Sequence, residues 1–171
     1  MKLKNHTLLA VAFGLAMDTH IFGMIGLVAG STLPDRLDCK LGLGSERLFL
    51  RVHRGITHWP WLYVLPFLVV VFWSGLAATI QGQFALWFLI GAYMHIACDM
   101  LTPGGIPFGL FSLKKKLSMK WFKTGSLKEY LVTWGLVLMM IGIAYVQYVN
   151  NGTLMILKAP AHVRQLIQAF I

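Results

Sequence analysis

Charged side chains are scarce in this 171-residue sequence: they make up 12% of it, and only six are acidic. Ordinary soluble domains carry roughly 25% charged residues, so this scarcity argues against an ordinary soluble enzyme. The two cysteines, Cys39 and Cys98, are too few for a disulfide framework and form no CxxC zinc pair. Six Trp and eleven Phe exclude a disordered chain. The 57% hydrophobic content and mean hydropathy of +0.69 favour an all-α polytopic membrane protein, with residues 1–171 as one membrane-embedded domain.

Long stretches without charge give the predicted transmembrane helices. Residues 55–98 and 130–157 contain no Asp, Glu, Lys or Arg. A helical span needs about 20 residues, so the first stretch holds two spans and the second holds one. We place the three spans at residues 61–80, 84–101 and 129–149, with a tight turn at Gln81-Gly82-Gln83 between the first two.

The first apolar run, residues 6–34, has two interpretations. Its length suits a single span, but Asp18 and His20 lie at its middle, where a charge costs about 2.5–3.5 kcal/mol on insertion scales. The alternative is a re-entrant hairpin of two short helices that turns at Asp18. Small residues would let the two halves pack closely; these are Gly14, Gly23, Gly26 and Gly30.

Basic residues concentrate in two segments that flank the first two predicted spans. The positive-inside rule places both segments in the cytoplasm. The hairpin interpretation divides the basic residues more unevenly between the two sides of the membrane, because Lys2 and Lys4 then lie on the same side as both segments. The segments hold Arg36, Lys40, Arg47, Arg51 and Arg54, and then Lys114, Lys115, Lys116, Lys120, Lys123 and Lys128.

The C-terminal tail, residues 158–171, has apolar residues at helical spacing, among them Val163, Leu166 and Phe170. This pattern predicts an amphipathic helix that lies in the membrane interface or packs as a terminal helix.

Histidine and aspartate fall into three short clusters. In the first, Asp35 and Asp38 follow Pro34. Two carboxylates three residues apart in a turn can reach one metal ion, although Asp is also common at a solvated helix end. We predict that this pair begins a ligand-bearing loop, residues 35–58.

The second cluster ends that loop with the sequence His53-Arg54-Gly55-Ile56-Thr57-His58. Two imidazoles five residues apart can converge on one site, and imidazole is the commonest metal ligand. The planar fork of Arg54 suits a phosphate. Alternatively, both histidines are interfacial residues and Arg54 is a charge that sets topology.

The third cluster, His95 and Asp99, lies inside a predicted span. The i, i+4 spacing puts both side chains on one helical face. An Asp in a span is costly unless it is paired or bound to a metal. The alternative to a metal site is a hydrogen-bonded His–Asp pair between helices.

In the hairpin topology all three clusters lie on one side of the membrane, together with His6. Seven N/O donors exceed what one catalytic zinc needs and suit two metals. Zinc, manganese and iron all accept such ligands. The donor set is His6, Asp35, Asp38, His53, His58, His95 and Asp99.

The ordered motifs resemble the YdjM family of bacterial inner-membrane proteins, which are described as metal-dependent hydrolases. The resemblance rests on His6, then LPDRLD at 33–38, HRGITH at 53–58, and HIACD followed by TPGG at 95–105. It implies a multi-pass protein of the inner membrane, with the basic segments and the site towards the cytoplasm. Residues 125–129 resemble a stretch shared before the last helix, which makes Glu129 a catalytic candidate beside Arg54. A looser similarity to zinc phospholipase C and P1-type nucleases implies phosphoester chemistry.

The sequence therefore predicts a membrane-bound hydrolase with a dinuclear, zinc-type His/Asp site that acts on a lipid or lipid-linked phosphoester. Its expected partners are membrane lipids. No nucleic acid is expected, because the basic residues follow the topology. The alternative is a non-enzymatic membrane protein that uses the same residues to carry metal or protons, or to lock helices together.

Overall fold

The computed structural model describes residues 1–73 and 75–152, and this part of the chain is mostly helical, as predicted. The predicted tail helix at 158–171 lies outside the described residues. The helices are α1 (Leu3–Ala16), α2 (Ile21–Leu41), α3 (Glu46–Val52), α4 (Trp61–Phe72), α5 (Ile80–Met100) and α6 (Leu127–Asn151). Strand β1 (Ile106–Pro107) pairs antiparallel with β2 (Lys116–Leu117), and short 3-10 turns occur at Ile56–His58 and Leu76–Ala78.

The first apolar run is broken into two helices, α1 and α2, as the hairpin interpretation requires. Asp18 lies in the connection with a φ of 49°, a left-handed conformation that Asp tolerates better than most residues. His20 then caps α2, because its Nδ1 accepts a hydrogen bond from the Gly23 amide at 3.3 Å. The position of this hairpin in the membrane stays a prediction.

Helix α2 continues past Pro34 to Leu41, so the predicted loop at 35–58 is wrong at its start. Asp35 and Asp38 lie on a helix rather than in a turn, and α3 is also helical within that range. A proline inside a helix costs about 3 kcal/mol. Here Pro34 is buried, and the packing of α2 along α5 offsets that cost.

Glycines bring the backbones of α2 and α5 into direct contact. A Cβ on Gly30 would overlap the carbonyl oxygen of Phe88, and a Cβ on Gly91 would overlap that of Leu27. Such close approach is typical of small-residue helix interfaces. Gly14 does face α2, as expected, whereas Gly26 and Gly30 face α5 and not α1.

The connection between α4 and α5 lies earlier than predicted. Helix α4 ends at Phe72, and Gly75 adopts a φ of 76°. Thr79 then caps α5, since its Oγ1 accepts a hydrogen bond from the Gly82 amide at 3.0 Å. The predicted turn at 81–83 is therefore wrong: these polar residues form the first turn of α5.

Within the described residues, α6 is the one helix whose length and composition suit a membrane crossing. It agrees with the predicted span at 129–149. Helix α4 is apolar but has only 12 residues, so the predicted span at 61–80 is divided. The prediction of three transmembrane helices stays a prediction beyond α6.

Two apolar cores flank the polar face of α5. One core lies between α4, α5 and β1 and includes Tyr63, Leu89 and Ile96. The other joins α1 to α6, with Leu9 and Val137 buried in it. Helix α5 contributes to both cores, so its His95 and Asp99 are held between two packed layers.

Candidate metal centre

Three elements bring six of the predicted ligands together. Helix α2 supplies Asp35 and Asp38, and α5 supplies His95 and Asp99. The chain between α3 and α4 supplies His53 and His58. The donors form two overlapping groups in which the ligand atoms lie within 4.8 Å of one another: Asp35, His58, His95 and Asp99, and then Asp35, Asp38, His53 and His58.

The first group converges around the Nε2 atoms of two histidines. His58 Nε2 lies 3.1 Å from His95 Nε2 and 3.5 Å from both Asp35 Oδ1 and Asp99 Oδ2. His95 Nε2 lies 3.6 Å from Asp35 Oδ1. His58, His95 and Asp99 are buried, and the Asp35 side chain is 18% exposed. Asp35 is therefore the member of this group that faces the outside.

Hydrogen bonds on the far side of each ring fix the histidine tautomers. His95 Nδ1 lies 2.7 Å from the carbonyl oxygen of Ser31 and must donate to it. His58 Nδ1 lies 3.1 Å from the Thr57 hydroxyl oxygen and donates to it, because that hydroxyl gives its own proton to Asp38. Asp38 Oδ2 lies 3.3 Å from the same nitrogen, and a carboxylate behind a histidine is common at metal sites. Both Nε2 atoms then present lone pairs to each other, beside two carboxylate oxygens. Such an arrangement could hold a cation.

The second group surrounds Asp38, which is fully buried. Its Oδ2 lies 3.1 Å from His53 Nδ1 and accepts the backbone amide of Arg54 at 3.0 Å. Its Oδ1 accepts a hydrogen bond from the Thr57 hydroxyl. Burial raises the pKa of the Asp38 carboxyl, but the hydrogen bonds from His53, Thr57 and Arg54 outweigh burial and hold the pKa below its ordinary value. Asp38 therefore stays ionised in the fold.

Two predicted ligands have buried atoms whose hydrogen-bonding capacity is unused. Asp35 Oδ1 and both ring nitrogens of His6 have no hydrogen-bond partner among the described residues. His6 Nε2 lies 3.3 Å from Asp99 Oδ1, and the His6 ring stacks on His95 with centroids 3.8 Å apart. Buried polar atoms normally have partners. These orphaned atoms therefore fit a bound divalent ion, with His6 next to the first group.

Arg54 lies at the edge of the first group. Its Nε is 3.2 Å from Asp99 Oδ2, and its Nη1 donates to Thr102 Oγ1 at 2.7 Å. The residue has a φ of 58°, which directs its amide towards Asp38. A Cβ on Gly104 would overlap the Arg54 guanidinium, so a larger residue there would displace that group.

Glu129 lies outside both groups, and its catalytic role stays a prediction. It is buried, and its Oε1 accepts the Lys2 amide at 2.8 Å and the side-chain amide of Asn5. Its Oε2 accepts the Gly125 amide at 2.6 Å. With its acceptors occupied by these donors, Glu129 fixes the start of α1 against the start of α6.

Sequence reasoning missed three contributors to the site. The N-terminal ammonium of Met1 is buried and pairs with Asp99 Oδ1, and nothing in the sequence signals that contact. The carbonyl of Ser31 orients His95, which a sequence pattern also does not reveal. The Thr57 hydroxyl, which donates to Asp38, could have been predicted as a contributor. Thr57 lies directly before His58, within the His53–His58 motif.

Comparison with known proteins gives a match at the level of the family. The model of a family described as YdjM inner membrane protein matches residues 1–162. The chain is also similar to an uncharacterised Bacillus subtilis (strain 168) protein, YfhP, with 27% identity over 115 residues, which cover 63% of this chain and 32% of that protein. The match thus spans about a third of that relative's length. No solved structure matches the chain.

Proposed function

The chain belongs to the YdjM inner membrane protein family, and we propose that it is a membrane-bound, metal-dependent hydrolase that acts on a lipid or lipid-linked phosphoester. The observation that carries the proposal is the convergence of His58 Nε2, His95 Nε2 and Asp35 Oδ1 within 3.6 Å of one another. Lone pairs that face one another in a buried site are unfavourable without a cation.

Two ions are proposed, and they share Asp35. The first would be held by His58, His95 and Asp99, with His6 as a further ligand. The second would be held by Asp38 and His53. N/O donors of this kind suit zinc, with manganese and iron as the alternatives. A divalent ion in such a site stabilises developing negative charge and lowers the pKa of water bound to it.

The chain's own residues would bind and orient the substrate. Arg54 is positioned by Asp99 and Thr102, and its guanidinium suits bidentate recognition of a phosphate oxygen pair. The Ser31 carbonyl and the Thr57 hydroxyl hold the two imidazoles by their Nδ1 atoms. Thr57 in turn donates to Asp38, so the first group is oriented before substrate arrives.

The cavity beside Asp35 supports an amphiphilic substrate. Its volume is about 490 Å³. Leu3, Leu33 and Leu37 line it together with the cations Arg36 and Lys40. A wall that combines apolar and cationic side chains suits a molecule with an anionic group and a hydrocarbon part. A lipid or lipid-linked phosphoester has both.

Outward-facing apolar side chains support the membrane location. Leu65 and Phe72 on α4 are 70% and 77% exposed, and Leu131 and Leu138 on α6 are each 64% exposed. Large exposed apolar surfaces mark membrane or protein contact. We further propose a multi-pass topology with the basic segments and the centre towards the cytoplasm, because of the charge distribution.

Elemental analysis of detergent-purified protein tests the metal centre. Wild type should hold two divalent ions per chain. Asp99→Ala should lose the first ion and His53→Ala the second, while His20→Ala is the matched control outside the centre. Protein with two ions should then hydrolyse at least one member of a phosphoester lipid panel. Absence of stoichiometric metal, after purification without chelators and incubation with zinc or manganese, would contradict the proposal.

A second candidate function is a polar lock between helices. Asp99 already contacts the Met1 ammonium, His6 and Arg54, which join α1 and the 53–58 segment to α5. In that case Asp99→Ala should lower the unfolding temperature in metal-free protein as much as in metal-treated protein. A metal transporter would instead show ion uptake into proteoliposomes that depends on Asp18, the acidic residue at the turn of the α1–α2 hairpin.

A further inference from the structure

The ribbon segment, residues 106–121, carries an exposed apolar tip. Phe111 at the tip is 95% exposed, and Leu110 and Leu113 beside it are 51% and 41% exposed. Trp121, at the end of the segment, is 64% exposed. Exposure of these apolar side chains to water is unfavourable. The segment contributes no residue to the metal centre or to the hydrolysis proposed above.

Lysines follow this tip along the chain, in a stretch of sequence without acidic residues. Lys114, Lys115, Lys116 and Lys120 are all exposed in the ribbon segment. From residue 103 to residue 128 the sequence contains six lysines and no Asp or Glu. The surface is therefore both apolar and strongly positive.

Hydrogen bonds anchor the ribbon segment to the rest of the fold. Trp59 and Trp61 donate their indole N–H groups to the carbonyls of Gly109 and Phe108, at 2.9 and 3.1 Å. At the base of the segment, Ser118 Oγ donates to the carbonyl of Thr102 at 2.6 Å. Because the segment is already ordered, binding to a partner costs it less conformational entropy.

We infer that the ribbon segment is a docking surface for anionic phospholipids, with the Phe111 tip among the acyl chains and the lysines at the headgroups. Charge complementarity supports this partner, because lysines beside a membrane are attracted to anionic lipids. The indoles of Trp59, Trp61 and Trp121 border the same surface, and Trp is enriched at membrane interfaces. Thr102 connects this base to Arg54, so docking would set the metal centre close to the headgroups.

This inference uses the membrane location of the proposed function but none of its chemistry. Metal content reports on the centre, and contact between the tip and lipid reports on the ribbon segment. Failure of one therefore leaves the other standing.

The test places a fluorescent probe at the tip of the full chain in lipid nanodiscs. Phe111→Cys in a Cys39→Ser background is labelled with bimane, and the Cys39→Ser chain alone is the labelling blank. One set of discs contains brominated phosphatidylcholine only, and the other adds phosphatidylglycerol. We expect a blue shift and strong quenching in the anionic discs, and weaker quenching in the zwitterionic discs.

Charge variants identify the source of the effect. Each lysine near an anionic surface contributes about fivefold to binding. Lys114→Gln/Lys115→Gln/Lys116→Gln should therefore reduce quenching in anionic discs to the level of zwitterionic discs. Lys2→Gln/Lys4→Gln/Arg47→Gln removes the same charge from exposed positions at the start of α1 and on α3 and should leave quenching unchanged.

Three results would overturn the inference. The first is a probe that brominated lipid does not quench in either disc. The second is equal quenching in both discs, which would mean apolar insertion without recognition of anionic lipid. The third is a blue shift without quenching that grows with the number of chains per disc, which would assign the tip to contact with a second copy.

Discussion

Two carboxylates, the buried Glu129 and the half-buried Asp35, lie close to the start of this chain, and their surroundings differ. Around Glu129, N–H donors from Lys2, Asn5 and Gly125 occupy the carboxylate. Around Asp35, the Oδ1 atom has no hydrogen-bond partner among the described residues and faces histidine nitrogens instead. A carboxylate that is satisfied by amides holds the fold together. One whose oxygen faces histidine nitrogens could bind a cation, as proposed above.

The largest expected effect comes from Asp35→Asn. Because Asp35 is shared by both groups, the variant should lose both ions and all hydrolytic activity. Its unfolding free energy in metal-free protein should stay the same or rise, since Asp35 Oδ1 makes no hydrogen bond among the described residues and the amide can donate to a facing histidine nitrogen. Elemental analysis and denaturant unfolding in detergent measure the two properties. Asp18→Asn, at the hairpin turn, is the matched control, and two ions retained in Asp35→Asn would show that the comparison is wrong.

Glu129→Gln should give the reverse result. The amide NH₂ would oppose an N–H donor from Lys2 or Gly125. Loss of a hydrogen bond to a charged group costs about 1.5–3 kcal/mol. We expect that loss in unfolding free energy, with metal content and the kcat of the folded protein unchanged. Glu46→Gln, an exposed residue on α3, is the control. A fall in kcat without a fall in stability would support a catalytic role for Glu129.

Thr57→Val tests the layer of residues behind the centre. Its hydroxyl donates to Asp38 and accepts from His58 Nδ1. Changes in such outer partners typically cost 10–100-fold in metal affinity, and we expect a loss of about tenfold or more here. Competition with a fluorescent zinc chelator measures it. Thr7→Val removes a hydroxyl that bonds the Leu3 carbonyl at 3.2 Å and should leave affinity unchanged; equal losses in both variants would contradict the assignment.

The smallest effect is expected for His20→Ala. His20 is a histidine outside the centre that caps α2 through its Nδ1. Loss of an N-cap costs about 1 kcal/mol, so the unfolding midpoint should fall slightly and both ions should remain. If this variant loses metal, the assignment of metal binding to the clustered histidines alone fails.

Local sequence patterns predicted those parts of the molecule that local chemistry determines. The break at Asp18 follows from the cost of a charge within an apolar run. The i, i+4 spacing of His95 and Asp99 put both on one helical face, and the structure adds that this face meets α2. The motifs therefore identified a set of residues that the fold does bring together, while their role as ligands stays a prediction.

Long-range contacts decided the features that were predicted wrongly. The continuation of α2 through Pro34 depends on packing against α5, which no local pattern contains. The contacts of Glu129 were also not predicted, because they involve backbone amides, and every residue except proline has one. The turn predicted at 81–83 moved because Gly75 takes the left-handed conformation and Thr79 supplies a cap.

The glycine contact between α2 and α5 would limit which cation the proposed centre accepts. Gly30 and Gly91 place main chain directly against main chain, and Asp35 and His95 each lie four or five residues along from those contacts. The distance between α2 and α5 is therefore fixed by contact between their backbones. It cannot adjust as the distance to a flexible loop could. Calcium requires 6–8 oxygen ligands at 2.3–2.6 Å, and half of the donors in each group here are histidine nitrogens. We therefore expect the centre to bind smaller ions such as zinc in preference to calcium. Bound zinc should then resist a large excess of calcium when the two are compared in competition dialysis.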